Sequence, residues 1–474
     1  MGVLRITPRP SRQRFSALRQ ERERHSPPHP KPSLTTERGV RMSVTSRRRF
    51  AAIALASVAV LATGTACGND SESGDGQITL VVDVFGDQGF GYEELYKQYE
   101  SEHPNIKIQE RGKGLGLGDY NTRLTQQITA GAGAGDIVAL EEGTIVQFYA
   151  QADKFVNLAD HGANDLKSNF LPWKWEQGVT PDGKVLGLGT DIGSMAICYR
   201  TDLFKAANLP TDREQVGALW PTWDEFIATG QKFAAVDKKH KFVDSATNFY
   251  NVVLMQTAGG GSGYTYFDKS NQLVVGSNPD VKSAFDLTTK MISAGLSNHL
   301  KSFSNEWNAG FKNGSFAAIG CPAWMTGVIK GQAGDSAAGK WDIAKAPGTG
   351  GNWGGAFLGV PKASKHPKEA AELAKFLTSA KSQAEAFKKV GNLPSSPQAL
   401  SDPAVAEATN DYFSNAPVGK IFAAGASELK PVYLGPKNQA VRDAVENALR
   451  SVEQGKAADA AWQDAVKNGE AAGK

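Results

Sequence analysis

Two tryptophans, Trp324 and Trp353, stand close to Gly or Pro in stretches without helical or strand periodicity, where a ring can face a cleft instead of a core. Three carboxylates, Asp87, Glu141 and Asp191, follow strand-like runs at the points where loops begin. Aromatic plates beside hydroxyl-accepting carboxylates are what holding a pyranose requires, because a sugar ring offers an apolar C–H face and a rim of hydroxyls. Asn251 and Trp307 are of suitable type, but both fall in helical patterns where a structural role competes. The competing reading of every one of these residues is structural: rings in the core, carboxylates as solvated caps or salt-bridge partners. Trp220 and Trp223, at a helix start, read as core.

Catalysis is the rival use of such residues. Hydrolysing a glycoside needs two carboxyls about 5 to 9.5 Å apart. Glu141 and Glu142 are adjacent, so in a strand they point to opposite faces, and no second motif supplies a partner. The chain has no GxSxG, HExxH or GxxxxGK[ST], and the glycines of 114–118 follow Lys113 without the strand-to-helix context that a phosphate loop demands. No Cys/His spacing suits zinc, so neither metal nor cofactor is expected and the chain reads as a non-enzyme.

The elements that must position these residues begin after a basic leader. Residues 1–66 carry 13 basic and 3 acidic side chains out of the chain's 52 and 49, leaving a body with 39 and 46 that is mildly acidic. No basic cluster occurs after Arg49, which argues against nucleic acid as a partner. A body of about 400 residues exceeds one hydrophobic core, so two domains are expected. Apolar strand-like runs at 78–85, 106–110 and 136–140 alternate with helical patterns at 92–99 and 120–130, the signature of an α/β lobe with a mainly parallel sheet. Ligands in such sheets bind at the carboxyl ends of the strands, here 85–88 and 141–142. Extended runs follow at 184–191 and 194–199, then a helix-rich section in which Thr222 and Glu225 form a capping box. Further helical patterns occupy 284–294, 306–313, 369–378 and 441–453.

The leader itself has two parts. Residues 1–41 have a disordered composition and are expected not to be translated or to be unstructured. Residues 42–66 carry Arg47-Arg48-Arg49-Phe50 before an apolar run too short to span a bilayer, a signal peptide with a twin-arginine pattern. The small residues ending at Cys67 resemble a bacterial lipoprotein cleavage site, which implies a lipidated Cys67 and a flexible tether over 67–76. The alternative is a plain secretory signal with a free Cys67 thiol. Only Cys198 and Cys321 remain beyond it, each at the end of a strand-like run, and they read equally as a disulfide or as two buried thiols.

The ordered series 191–204, 221–226, 311–319 and 370–377 resembles the extracellular solute-binding proteins of bacterial ABC importers, in the carbohydrate branch that includes the maltose-binding protein. The similarity runs from about Ile78 to the C-terminus. It implies the periplasmic-binding-protein fold: two α/β lobes joined by a hinge with the ligand cleft between them, lobe 1 being 77–190 plus 343–395 and lobe 2 being 191–342 plus 396–474. It places the crossings between lobes near Thr190-Asp191, 341–346 and 391–396. It aligns Trp324 with a Trp that stacks on a sugar ring, with Cys321 where the family has Gly. It also brings Phe85, Asp87, Glu141, Trp353 and Gly355 to the cleft. The implied function is capture of a sugar, a di- or oligosaccharide, by a monomeric, lipid-anchored protein on the outer face of the cytoplasmic membrane that delivers it to a permease. A non-sugar ligand such as a peptide, polyamine or metal complex is the alternative, and a glycoside hydrolase a more distant one.

Overall fold

The computed structural model describes residues 76–474, so the leader and Cys67 lie outside the described residues. Strand β1 (Ile78–Asp83) pairs in parallel with β2 (Ile106–Arg111) and with β3 (Ile137–Glu141). Helix α1 (Glu93–Glu102) and helix α2 (Leu117–Ala130) make the crossovers. Each buries one stripe, Leu95, Tyr96 and Tyr99 in α1 and Tyr120, Leu124 and Ile128 in α2. Gly131, left-handed at φ 67°, ends α2.

The extended run at 184–191 divides, because the chain must leave this sheet there. Strand β4 (Leu188–Gly189) sits at the edge of the first sheet, while β5 (Asp191–Ile192) belongs to a separate two-stranded ribbon. The chain then enters a second sheet through β6 (Met195–Arg200), joined by β7 (Lys241–Val243), β8 (Phe316–Pro322) and β9 (Trp341–Ala344) in the order β7-β8-β6-β9. It returns through β10 (Ala356–Gly359), which lies antiparallel between β3 and β4. A last crossing, β11 (Leu393–Pro394), pairs with β5. Ile343 and Ala344 pair with Cys198 and Ile197 of β6, so the second sheet extends through them before the chain crosses back.

The capping box at Thr222 and Glu225 forms and starts the helix Trp223–Val236. Cys198 and Cys321 lie on one face of the β6/β8 pair, Cα atoms 5.4 Å apart, fully buried and bonded through sulfur. The bond closes a sequence separation of 123 residues. Its loss in a Cys198→Ser, Cys321→Ser double variant should cost about 2–4 kcal/mol, read as a lower melting temperature under non-reducing conditions. An unchanged melting temperature would show that the strands hold without it. Among the described residues no helix is long and apolar enough to cross a membrane.

Candidate functional site

The carboxyl ends of β1 and β3 open on a cavity of about 350 Å³ between the two sheets. Phe85 and Asp87 follow β1, Asp119 lies in α2 and Glu141 ends β3, while Phe303 and Trp307 come from just before and within the helix Asn305–Asn313, Trp324 from just after β8 and Arg442 from the helix Asn438–Glu453. Asp191 and the segment 353–356, where the chain crosses, complete it.

The crossing segments are tied to one another through backbone bonds. Thr190 N donates to Ala356 O (2.9 Å), Glu142 N to Gly355 O (2.9 Å) and Trp353 N to Gly193 O (2.9 Å). The Asp191 carboxylate joins this network, accepting through Oδ1 from Ala356 N (3.0 Å) and from Thr190 Oγ1 (2.6 Å). One of its oxygens therefore holds the hinge, and the other is unengaged by these bonds. Across the mouth, the Gln332 amide donates to Asp87, joining the helix Met325–Ala333 to the loop after β1.

Trp324 is half-buried, its Nε1 donating to Trp353 O (3.0 Å) and its ring meeting that of Trp353 edge-on at 5.6 Å. Phe303 lies 6.2 Å from Trp324 and is 43% exposed, an unusual state for a large apolar ring, and its backbone is left-handed at φ 65°. Strained backbone at a non-glycine residue clusters at functional sites. Trp307 lines the cavity but is fully buried beneath Phe303, 5.0 Å away, and its Nε1 donates to Asp244 Oδ2 (2.6 Å). Asn251 is not in this cavity. It lines a smaller neighbouring one of about 20 Å³ and donates to Glu446 Oε1 (2.8 Å). The structure thus brings Phe85, Asp87, Glu141, Asp191, Trp307, Trp324, Trp353 and Gly355 to one cleft and leaves Asn251 beside it.

Sequence reasoning passed over Phe303, Arg442 and Lys174. Arg442 follows Asn438 by one helical turn and precedes Glu446 by another, a polar stripe beside the apolar one of Val441, Val445 and Leu449. That stripe was its available signal. Lys174 has no exposed surface, and its ammonium has no hydrogen-bond partner. Its ammonium sits 4.0 Å from the centre of the Phe357 ring, and a methyl on Gly355 would lie 3.0 Å from it.

Burial dominates the titration of this floor. It raises the Glu141 carboxyl against the lowering pull of Arg442, and the Asp191 carboxyl against Lys174. Glu142 is raised to about 7 by burial, opposed chiefly by Lys174. Burial lowers Lys174, and Glu142 and Asp191 pull it back up. Among the described residues no group of three or more His, Cys, Asp or Glu side chains is placed to hold a metal ion.

Asp244, behind Trp307, is raised to about 7 by burial from an ordinary 3.8. A buried acid whose folded-state pKa exceeds its unfolded one contributes stability that is complete below the unfolded value and is lost as pH rises through the folded value. The contribution of Asp244 should therefore fall between about pH 4 and pH 7. The Asp244→Asn variant removes the titration, so its melting temperature relative to the parent should climb with pH across that window. Parallel pH profiles for the two proteins would rule this out.

A profile described as bacterial extracellular solute-binding protein matches residues 94–413. A solved structure described as an extracellular solute-binding protein of family 1 is 39% identical, with a TM-score of 0.73, covering 84% of this chain and 100% of that one. The arabinooligosaccharide-binding protein of Bacillus subtilis (strain 168) is 26% identical over 369 residues, 72% of this chain and 79% of its own. A transporter-associated binding protein from B. animalis subsp. lactis Bl-04, solved with beta-1,6-galactobiose, shares the fold at 22% identity and a TM-score of 0.71, covering 84% of this chain and 99% of that one.

Proposed function

The chain belongs to the bacterial extracellular solute-binding proteins, and from that premise we propose that its cleft captures a sugar, a di- or oligosaccharide, for delivery to the membrane subunits of an ABC importer. The observation that carries the reading is the composition of one cavity: the rings of Trp324, Trp353 and Phe303 share it with the carboxylates of Asp87, Glu141 and Asp191 and with the guanidinium of Arg442. Rings can cover the C–H face of a pyranose, while carboxylates accept from its hydroxyls and the guanidinium donates to them. The relatives that bind arabinooligosaccharide and beta-1,6-galactobiose support the same ligand class.

Capture works by differential contact. A ligand touching residues of both sheets stabilises the arrangement in which they approach, and shifts the population toward it. The Asp87–Gln332 bond is a contact that such an approach makes or keeps. Hydrolysis is not part of this reading, which follows the family's role in binding solutes. We assign residues 77–190 plus 345–395 and 191–344 plus 396–474 to the two lobes, the boundary expected after Asp342 being moved to Ala344 because Ile343 and Ala344 pair with β6. The family is extracellular, so the chain is an exported one. Cys67 would carry the lipid that keeps a monomer near its permease at high effective concentration.

The test is thermal stability of the purified protein against mono- and oligosaccharides, with peptides and polyamines as controls. A ligand at a hundredfold excess over its dissociation constant adds about 2.7 kcal/mol. Stabilisation by one sugar group identifies the substrate. Stabilisation by a control alone overturns the sugar reading.

A further inference from the structure

We propose that Asp244, a buried carboxylate outside the cleft, is a positioning residue for ligand binding that holds the Phe303 ring in place against the sugar. The inference rests on the sugar reading above, in which Phe303 is one of the rings of the cleft. Phe303 is an exposed ring on a left-handed backbone at φ 65°, a conformation that persists at a bulky residue only where its surroundings impose it. Those surroundings lead to one group by two routes. Under the ring, 5.0 Å away, lies Trp307, whose Nε1 donates to Asp244 Oδ2 (2.6 Å). Next to Phe303 in the chain, the half-buried Ser302 begins a relay of hydroxyls. Ser245 Oγ gives its proton to the same Asp244 Oδ2 (3.2 Å), so Ser302 is the donor in its 2.9 Å bond to Ser245 and accepts from Thr247 Oγ1 (2.9 Å). Asp244 is buried and does not line the cleft, so it acts on a sugar through these contacts alone.

The strength of the hold depends on the charge of the carboxylate. An ionised acceptor makes hydrogen bonds about twice as strong as a neutral one, so protonating Asp244 loosens both routes together. The chief influences on this carboxyl are its burial, the Trp307 indole, and Ser245 with the local backbone, with no charge among them. The titratable side chains on the elements packed about it are Lys241 of β7, His299 and Lys301 of the loop before Phe303, and Glu306 and Lys312 of the helix Asn305–Asn313, all exposed. The helix Ala246–Gly260 brings the Tyr250 phenol, bonded to Tyr266, and Glu453 of the last-but-one helix accepts from Ser297 Oγ. Because burial raises Asp244 to about 7, its ionisation costs the fold stability while it tightens the grip on Phe303. Stability and sugar affinity are therefore expected to move in opposite directions when Asp244 is neutralised, a separation that a merely structural role does not produce.

Calorimetric titration of the parent, Asp244→Asn and Ser302→Ala at pH 6 and pH 8 tests the proposal. The probe is β-1,6-galactobiose or an arabino-oligosaccharide, or failing these the member of the mono- and oligosaccharide panel that stabilises the parent. At pH 8 each variant should bind about fivefold more weakly than the parent, the scale of one hydrogen bond. At pH 6 the deficit of Asp244→Asn should shrink to within about twofold, because the acid of the parent is then mostly neutral as well. In a Phe303→Ala background either substitution should change affinity by less than about twofold, since the ring they position is gone. Glu142, also raised to about 7, titrates in all of these proteins, so the difference between parent and variant reports on Asp244 and the slope of one profile does not. Affinity at pH 8 that neither substitution changes, a deficit of Asp244→Asn as large at pH 6 as at pH 8, or losses that persist without Phe303 would each overturn the positioning role and leave the sugar reading intact. If Asp244→Asn does not fold, the cycle of Ser302→Ala with Phe303→Ala decides alone. Failure of every sugar on the panel to bind the parent would overturn the sugar reading, and this inference with it.

Discussion

Trp324→Ala should weaken binding of the recognised sugar by about thirtyfold or more, the loss of a residue carrying more than about 2 kcal/mol. The ring does two things at once. It presents a half-buried aromatic surface to the cleft, and through Nε1 it holds the Trp353 carbonyl at 3.0 Å, which orients the neighbouring crossing segment. Truncation removes the plate and frees that segment, whereas Trp324→Phe keeps a plate and loses only the bond. The Phe variant should therefore fall between parent and Ala. The fold should survive, because Trp324 caps the helix Met325–Ala333 and is not among the fully buried side chains whose removal leaves a large cavity. Calorimetry with the recognised sugar, alongside circular dichroism of the free protein, separates the two effects. Parent-like affinity in the Ala variant would remove Trp324 from the ligand contact.

What the sequence made legible followed from local chemistry. The runs of β1 and β3 are apolar and β-branched, so their length and type could be read, and the loops at their carboxyl ends carry Phe85, Asp87 and Glu141 into the cleft. Trp324 and Trp353 could be picked out because both stand among loop residues, although Trp353 is buried in a core that Trp324 packs against. The helix Ala246–Gly260 was legible as a helical pattern around Asn251, but not which face it turns to the core. It is buried on nearly every side, from Ala246 through Gln256, and so has no polar face to set against an apolar one. Asn251 belongs to that helix, and its amide goes to Glu446 in a side cavity, a partner far away in sequence that no local pattern could supply. Phe303 was invisible for the opposite reason, since an exposed ring on a left-handed backbone breaks the pattern that would mark it.

Lys174 shows the same limit from the side of electrostatics. It stands in the run Pro172-Trp173-Lys174-Trp175, where nothing local marks a lysine for the interior, yet it is fully buried. Leaving an ammonium unpaired in a low-dielectric interior is costly. Here the Phe357 ring and the nearby charges of Glu142 and Asp191 offset part of that cost. Those three residues come from β10, from the end of β3 and from the crossing strand β5, so only the assembled hinge creates the environment. The arrangement also explains why Asp191 serves the cleft and the hinge together: its charge faces Lys174 while Oδ1 pins Ala356 N.

The hinge carries the largest expected effect on stability. A methyl group placed on Gly193 would lie 1.8 Å from the Trp353 carbonyl oxygen and 2.5 Å from its carbon, both backbone atoms that cannot swing away as a side chain would. Gly193 is meanwhile bonded on both sides, its N–H donating to Asn352 Oδ1 (2.7 Å) and its carbonyl accepting from Trp353 N. Gly193→Ala must therefore separate two crossing segments and break these bonds, at a cost of more than about 4 kcal/mol. Because Trp353, Gly354 and Gly355 line the cleft, sugar affinity should fall with stability. Gly118→Ala is the matching control. Gly118 lies within α2, a methyl there meets nothing, and the change should raise stability by up to about 1 kcal/mol with binding unaltered. Denaturant unfolding of both variants gives the answer. If Gly193→Ala unfolds with the parent's midpoint, the two crossing segments do not approach as closely as this hinge requires, and Asp191, Asn352 and Trp353 lose their claim to act as one unit.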